Sequence, residues 1–287
     1  MRLIWVFLFF LCWGALLTPV SIVLANRYGM MDYPDKRKIH HGAVPRGGGL
    51  TLWSGLLLWA LLFAEGSFPL RIVMTGGTVV FFAGYMDDMF PLSPFGRLAV
   101  QFCAAALALL SVGKLDVLRM GLLLFWTAGV TNAYNFIDGM NGLALSMAFL
   151  SVGFIGWMWS LVPAVPALGL MIGIFFWNFP NAKTFLGDGG AYLLGYFTAS
   201  LAMGWLVPMQ MGFFKLCIAL LLVGGVPVMD TLCAIIRRLA HGKSPFYPDR
   251  GHLHHRLLDK GLSTPEALAI LFVLQMISLC GAYFFLK

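Results

Sequence analysis

The sequence predicts an all-α, polytopic integral membrane protein, and three observations carry that prediction. Of its 287 residues, 60% are hydrophobic and only 11% charged, against about a quarter charged in a soluble domain. Apolar runs recur along the whole length, each near the roughly 20 residues that cross a bilayer as a helix, and mean hydropathy is +0.86. The runs are continuous rather than alternating. Backbone in lipid must satisfy its own hydrogen bonds as helix or closed barrel, so helices follow.

Taken in order, the expected spans lie at about 3–25, 48–64, 70–86, 97–112, 119–136, 142–160, 163–179, 190–208, 212–236 and 265–286. The first is longer than the apolar core of a signal peptide, and no A-x-A site follows it. Ten spans put both termini on one face. No soluble insertion, low-complexity segment or repeat interrupts them, so residues 1–287 read as one transmembrane domain. The five cysteines, Cys12, Cys103, Cys217, Cys233 and Cys280, all lie inside apolar runs and read as small buried hydrophobes. Their spacing suggests neither a disulfide framework nor a zinc site.

Charge orients the bundle. The loops after the odd-numbered spans hold thirteen of the nineteen Lys and Arg residues, from Arg27 to Lys260. The positive-inside rule therefore places those loops in the cytoplasm and both termini outside. This topology accounts for the net charge of +7 without nucleic acid as a partner. Ten of the twelve acids also fall on the cytoplasmic side; only Glu65 and Asp116 fall outside. Acids contribute little to topology, so this asymmetry points to chemistry on one rim.

Five loops carry that chemistry. Asp87 and Asp88 close the third apolar run, two like charges that repel unless a cation or basic partner sits between them. Lone acids at a span edge usually mark only the entry into water, but this chain uses acids sparingly. The first loop, from Met31 to Gly49, has prolines at 34 and 45 and glycines at 47–49. Glycines that open a helix leave N–H groups where an anion can sit. In the third loop, Asn135, Asp138 and Asn141 recur at spacings of three and cluster if the turn is helical. The fourth runs from Trp177 and Asn178 through Phe185 to Gly187-Asp188-Gly189-Gly190, where Asp188 is either an N-cap or a metal ligand beside a stacking aromatic. The fifth gathers His252, His254 and His255 with Arg250 and Arg256. No cysteine helps a zinc site there, and histidine with arginine suits phosphate recognition.

Acids and amides without a soft ligand suit Mg²⁺, which takes oxygen ligands and shares them with substrate phosphates. Phosphate chemistry is mainly positioning and charge neutralisation. A membrane-embedded site of this kind implies one soluble phosphorylated substrate and one lipid phosphate.

Five motifs in order then resemble one family. They are D-x-P-x-x-R-K-x-H (Asp32–His40) with P-R-G-G (Pro45–Gly48), the Asp87-Asp88 pair, N-F-I-D-G-M-N-G (Asn135–Gly142), F-L-G-D-G-G (Phe185–Gly190) and P-D-R-G-H-L-H-H-R-L-L (Pro248–Leu258). Together they resemble the polyprenyl-phosphate N-acetylhexosamine-1-phosphate transferases (MraY/WecA-like, glycosyltransferase family 4). The H-L-H-H loop and A-V-P-R-G-G lie nearer the GlcNAc-1-phosphate and O-antigen-initiating branch than the peptidoglycan translocase.

The resemblance implies a ten- or eleven-helix fold in the bacterial cytoplasmic (inner) membrane, with the site on the cytoplasmic face. It implies transfer of an N-acetylhexosamine 1-phosphate, GlcNAc or a related amino sugar, from a UDP-sugar donor to a polyprenyl phosphate acceptor, with release of UMP. The cofactor implied is Mg²⁺, with Mn²⁺ as an alternative, and a homodimer is compatible with it. Carried over by position, Asp188 is the metal ligand, and Asp87 and Asp88 position the lipid phosphate or take its proton. Asn135, Asp138, Asn141, Asn178 and Phe185 form the uridine pocket. His252, His254 and His255 contact the diphosphate, and Lys38, Arg46 and Arg250 bind phosphate.

Two other readings compete. A transporter or flippase of an anionic lipid or nucleotide would place its polar groups near the bilayer midplane on broken helices. Here they gather at one rim, apart from Asp230 near Pro227, where a kink of the ninth span is expected. A lipid-phosphate hydrolase would need no UDP-sugar.

Overall fold

The computed structural model describes residues 2–34, 42–62, 69–245, 247 and 250–287. Within them α1 (Arg2–Arg27) leads into a small hairpin, β1 (Met31–Asp32) and β2 (Val44–Pro45). The two strands pair antiparallel, Met31 opposite Pro45 and Asp32 opposite Val44. Next come α2 (Gly48–Leu62), α3 (Leu70–Met89), α4 (Pro94–Leu109), α5 (Val117–Ile137), α6 (Leu143–Met158) and α7 (Leu161–Asn178). The chain closes with α8 (Gly187–Leu206), α9 (Phe213–Ala240), a short α10 (Leu253–Asp259) and α11 (Thr264–Leu286). A helix stands at each of the ten expected spans. The hairpin, α10 and a 3-10 turn at Val207–Met209 are additions that no apolar run signals.

Local sequence explains where several helices start. Ser93 accepts from the Gly96 N–H with Pro94 in the first turn of α4, and Asp116 accepts from the Arg119 N–H at the start of α5, both favoured N-terminal arrangements. Ser263 and Glu266 form a reciprocal capping box on α11. Gly142, in the left-handed conformation at φ 76°, turns the chain between α5 and α6.

Among the described residues five helices are long and apolar enough to cross a membrane: α1, α7, α8 with its 3-10 turn, α9 and α11. The chain is a multi-pass membrane protein. α2, α4 and α6 have 15, 16 and 16 residues. At about 1.5 Å per residue they fall short of a hydrocarbon core of about 30 Å. The exterior is apolar: Trp5, Leu16, Phe125, Phe176, Phe214 and Phe284 are all exposed. The cysteines belong to that exterior. Cys12, Cys103, Cys233 and Cys280 are exposed and Cys217 is half-buried, which corrects the expectation of buried thiols. In a run that is apolar all round, periodicity does not separate the face toward lipid from the face toward protein.

α8 forms the centre. Nearly every residue of it is buried, and α2, α3, α5, α6 and α9 pack against it. Small residues let the backbones meet, as is common where helices pack in lipid. A Cβ on Gly84 of α3 would lie 2.5 Å from the Gly189 nitrogen, and one on Gly49 of α2 would lie 2.7 Å from that of Gly190. The glycines that flank Asp188 are thus crossing points of three helices.

Gly189→Ala would bring its Cβ to 2.7 Å from the Phe81 carbonyl, and overpacking of this kind costs about 1–3 kcal/mol. A clear fall in Tm of the detergent-solubilised protein is expected. Gly121→Ala, with nothing within 4 Å of the new methyl, should stay within about 0.5 kcal/mol of the parent.

Candidate active site

All five polar loops meet at one end of the bundle, around a cavity of about 710 Å³. Its wall includes Asp32 and Arg46 from the hairpin region, and Asn135, Asp138 and Asn141 from the end of α5 and the turn after it. Phe185 and Asp188 come from the start of α8, and His255 from α10.

The floor depends on Asp88. Gly187 sits at φ +71°, and a Cβ there would lie 2.5 Å from Asp88 Oδ2, so only glycine fits. The close approach lets Asp88 Oδ2 accept from the Asp188 N–H at 2.9 Å, with the Gly189 amide adding to it. α8 has no cap from its own preceding side chain, and Asp88 of α3 supplies the negative charge its N-terminus favours. Asp88 Oδ1 accepts from Arg46, and Arg46 also holds Asp32, with Nε at 3.1 Å from Oδ1. The Asp88 side chain is only 3% exposed.

Asp188 therefore is not the cap of α8. Its carboxylate accepts from the Asn135 side chain and lies against Asp87, at the cavity wall. Asp87 in turn accepts from the Leu92 N–H at 2.6 Å and from Arg97 at 3.0 Å, and Arg97 also reaches Tyr192. Adjacent in sequence, the two acids of the pair point to different partners, as a rotation of about 100° per residue requires.

The glycines at 47–49 depart from expectation. Gly47 N donates to Thr184 Oγ1 at 3.0 Å, Gly48 N to the Phe185 carbonyl at 2.9 Å and Gly49 N to the Leu186 carbonyl at 3.0 Å. These N–H groups tie the hairpin to the loop before α8, and an anion site there is ruled out. Asn178 is also turned away from the cavity. Its Oδ1 accepts from Gly142 N at 2.6 Å and its Nδ2 donates to the Thr184 carbonyl at 2.9 Å. It staples the Asn141 turn to the Phe185 loop, behind the residues that face the cavity. Trp177 packs away as well, donating to the Ala15 carbonyl of α1 at 2.9 Å.

The three histidines separate. His252 is buried, with Nδ1 at 2.9 Å from Asp230 Oδ2 and Nε2 at 3.4 Å from Arg238. Asp230 Oδ1 also accepts from the Leu253 N–H at 3.0 Å, so the pair anchors the start of α10. His254 is 1% exposed under the Asn141 turn, where a Cβ on Gly139 would lie 2.8 Å from its Nε2. Neither of its ring nitrogens has a hydrogen-bond partner among the described residues. Burial first, then His255, His252 and Arg250, push its pKa down to about 3, so it is neutral. Only His255 reaches the cavity. Arg250 is outside it, paired with Asp259 at 3.0 Å, and Lys38 lies outside the described residues.

Asp32, Arg97 and Thr184 were given no role by sequence, yet they hold Arg46, Asp87 and the Phe185 loop. The scarcity of acids could have singled out Asp32. Nothing local marks Thr184.

Electrostatics favour a cation here. Among the described residues Asp32, Asp138 and Asp188 line the cavity with one arginine. Burial, followed by the charges of Asp188 and Asp88, raises the Asp138 carboxyl well above the ordinary carboxylate range. A cation beside Asp188 would offset the negative charge that this carboxylate turns toward a polyanionic substrate. The donors are oxygens, which fits Mg²⁺ chemistry. Among the described residues no three His, Cys, Asp or Glu side chains are close enough to hold a metal alone. Such an ion would need phosphate oxygens to complete its shell, as is usual for Mg²⁺.

A helical membrane bundle with an oxygen-lined, acidic cavity at one end has the features of an enzyme that works on phosphates at a membrane face. The comparisons make the class particular. The profile of glycosyl transferase family 4 matches residues 70–206, which contain Asp87, Asp88, Asn135, Asp138, Asn141, Phe185 and Asp188. A Thermotoga maritima undecaprenyl-phosphate alpha-N-acetylglucosaminyl 1-phosphate transferase is 31% identical, over 83% of this chain and 76% of its own. A decaprenyl-phosphate N-acetylglucosaminephosphotransferase of Mycolicibacterium smegmatis is 30% identical, over 91% and 76%. A Bacillus subtilis protein described as a probable undecaprenyl-phosphate N-acetylglucosaminyl 1-phosphate transferase is 29% identical, over 96% and 83%. The chain belongs to glycosyl transferase family 4.

Two expectations follow from the geometry. Asp88→Ala removes the acceptor for the α8 N-terminus and half of the arginine bridge, and loss of one partner of a buried pair costs about 3–5 kcal/mol. A fall in Tm is expected, part of which Asp88→Asn restores by keeping an acceptor oxygen. His254 sets an acid limit. Its unfolded pKa of 6.5 exceeds the folded value of about 3, so its contribution is intact above pH 6.5 and is lost as pH falls toward 3. The loss amounts to at most about 1.4 kcal/mol per pH unit. His254→Phe should flatten the decline of Tm between pH 6.5 and 4.5.

Proposed function

We propose that the protein transfers N-acetylhexosamine 1-phosphate, from UDP-GlcNAc or a related UDP-sugar, to undecaprenyl phosphate, releasing UMP at the cytoplasmic face of a bacterial inner membrane. The observation that carries this reading is the composition of one cavity. Asn135, Asp138, Asn141 and Phe185 stand together with Asp188, Arg46 and His255 around it, in a volume suited to a nucleotide sugar. The names of the relatives supply the acceptor class and the amino sugar.

In this reading an oxygen of the lipid phosphate bonds to the sugar-bearing phosphorus of the donor. The bond from that phosphorus to the bridging oxygen breaks, and UMP leaves with its electron pair. A phosphate monoester has a second pKa near ~6, so the attacking oxygen is mostly deprotonated at neutral pH. The reaction therefore asks little of a general base. Asp87 and Asp88 then act by holding Arg97, Arg46 and the α8 N-terminus, and so by placing Asp188.

Bound Mg²⁺, held by Asp188 with Asp87 beside it, would supply neutralisation of phosphate charge. Arg46 adds a fixed positive charge next to the acids, and His255 faces the diphosphate from the opposite wall. Asp138, with its raised pKa, can keep a proton and present one donor and one acceptor. That pair matches the C=O and N–H of a uracil edge, and Phe185 offers a face for stacking. The five odd-numbered loops meet at this one end, which supports a cytoplasmic site and the ten-span topology expected from charge.

Purified protein with undecaprenyl phosphate, UDP-GlcNAc and Mg²⁺ should release UMP, and a panel of UDP-sugars identifies the donor. Asp188→Asn should reduce turnover by at least about 10³-fold, the scale of losing a key electrostatic group, while Tm stays near that of the parent. EDTA should stop the reaction, with Mg²⁺ restoring it. Absence of UMP with every UDP-sugar, or full activity in Asp188→Asn, would refute the assignment.

A further inference from the structure

α9 is broken inside the bundle, and side chains of α6 and α11 meet backbone groups that the break releases. Gly225 has φ 56° and ψ −136°, a conformation in essence reserved for glycine. Pro227 follows with no N–H to donate. Away from water, each backbone group so released needs another partner. The Val226 N–H donates to Gln275 Oε1 of α11 at 2.7 Å. The Val223 carbonyl, which residue 227 would serve in an unbroken helix, accepts from Ser151 Oγ of α6 at 3.4 Å. The Leu222 carbonyl accepts from Ser278 Oγ of α11 at 2.8 Å. Gln275 Nε2 donates to Ser151 Oγ at 3.0 Å, which joins the three helices through one amide. Gln275 and Ser151 are both 0% exposed. A Cβ on Gly225 would lie 2.2 Å from Gln275 Oε1, so the glycine and the glutamine fit as a pair.

The break lies upstream of one wall of the cavity. Five residues beyond it, Asp230 holds His252 Nδ1 and the Leu253 N–H. Further along, Arg238 donates to the Pro245 carbonyl and meets His252 Nε2. These contacts seat α10, whose His255 faces the cavity, and α11 begins with Thr264 on the same wall. α6 starts directly after Asn141 and Gly142. The helices that Gln275 joins thus frame the wall with His255, Thr264 and Asn141. Arg46 and Asp188, which also line the cavity, are tied instead to Asp88 of α3 and the start of α8.

We infer that Gln275 is a positioning residue for the transfer reaction: it sets the direction of α9 after Gly225 and, through Asp230 and α10, the place of His255. This rests on the proposed function, in which His255 faces the donor diphosphate. Gln275 touches no substrate and belongs to none of the five polar loops.

The test uses steady-state UMP release by the full chain in detergent, with Gln275→Leu, Gln275→Glu and Ser151→Ala. Gln275→Leu should raise KM for the UDP-sugar about tenfold while KM for undecaprenyl phosphate changes less than about twofold. Gln275→Glu, whose neutral carboxyl has the same shape and one acceptor and one donor, should return donor KM to within about threefold of the parent. Ser151→Ala should shift donor KM in the same direction by a smaller factor, and it decides the matter if Gln275→Leu does not fold. In a double-mutant cycle, Gln275→Leu should be non-additive with His255→Gln and additive with Arg46→Ala. Unchanged donor KM in Gln275→Leu, equal effects on both substrates, or additivity with His255→Gln would overturn the inference. Absence of UMP release by the parent would instead overturn the proposed function.

Discussion

The Asp88 carboxylate carries more of this architecture than any other single group. One oxygen takes the first amides of α8 and the other takes Arg46. A helix buried along nearly its whole length cannot hydrate its N-terminus, so its unpaired N–H groups need a partner from elsewhere in the protein. Asp88 provides it across the α3–α8 crossing, which is close only because Gly84, Gly187 and Gly189 are glycines. With the α8 terminus capped from outside, Asp188 in its first turn is left to face the cavity. Arg46 extends the same contact to Asp32 and so fixes the hairpin to the floor.

This division of labour changes how the paired acids read. Side by side at a membrane edge, Asp87 and Asp88 look like a catalytic dyad. Each instead has its own basic partner, Arg97 for one and Arg46 for the other, which relieves the repulsion between like charges that burial would otherwise magnify. Asp188, Asp138 and His255 line the cavity among the described residues, whereas neither acid of the pair does. A phosphate acceptor that is already ionised does not require a strong base, so pre-ordered acids and one arginine suit phosphoryl transfer better than a proton-abstracting pair. The histidine triplet divides in the same way: His252 anchors, His254 packs neutral beneath the turn, and His255 meets the cavity.

The cavity also separates transfer from transport. A transporter places polar groups at mid-membrane on discontinuous helices, and α9 is discontinuous at Gly225. Its released groups, however, are met by Gln275, Ser151 and Ser278 within the protein and are not left facing an ion or substrate path. The break serves geometry at the rim.

Much of this was legible in the sequence. Continuous apolar runs dictate helices because lipid offers the backbone no partner, and ten helices stand where those runs lie. The five polar loops, rare in charge and grouped by topology, named the rim and seven of the cavity's described residues: Arg46, Asn135, Asp138, Asn141, Phe185, Asp188 and His255. The direction in which each side chain points was not legible, because it depends on contacts between residues far apart in the chain. Asn178 bonds across 36 positions to Gly142 and Asp88 across 100 to Asp188, and no local pattern encodes either. The same holds for the cysteines, whose outward facing follows from packing and not from the hydrophobicity of their neighbours. Composition and order determined a membrane bundle with one reactive end; only the tertiary structure decided which polar groups hold that end together and which are free to act.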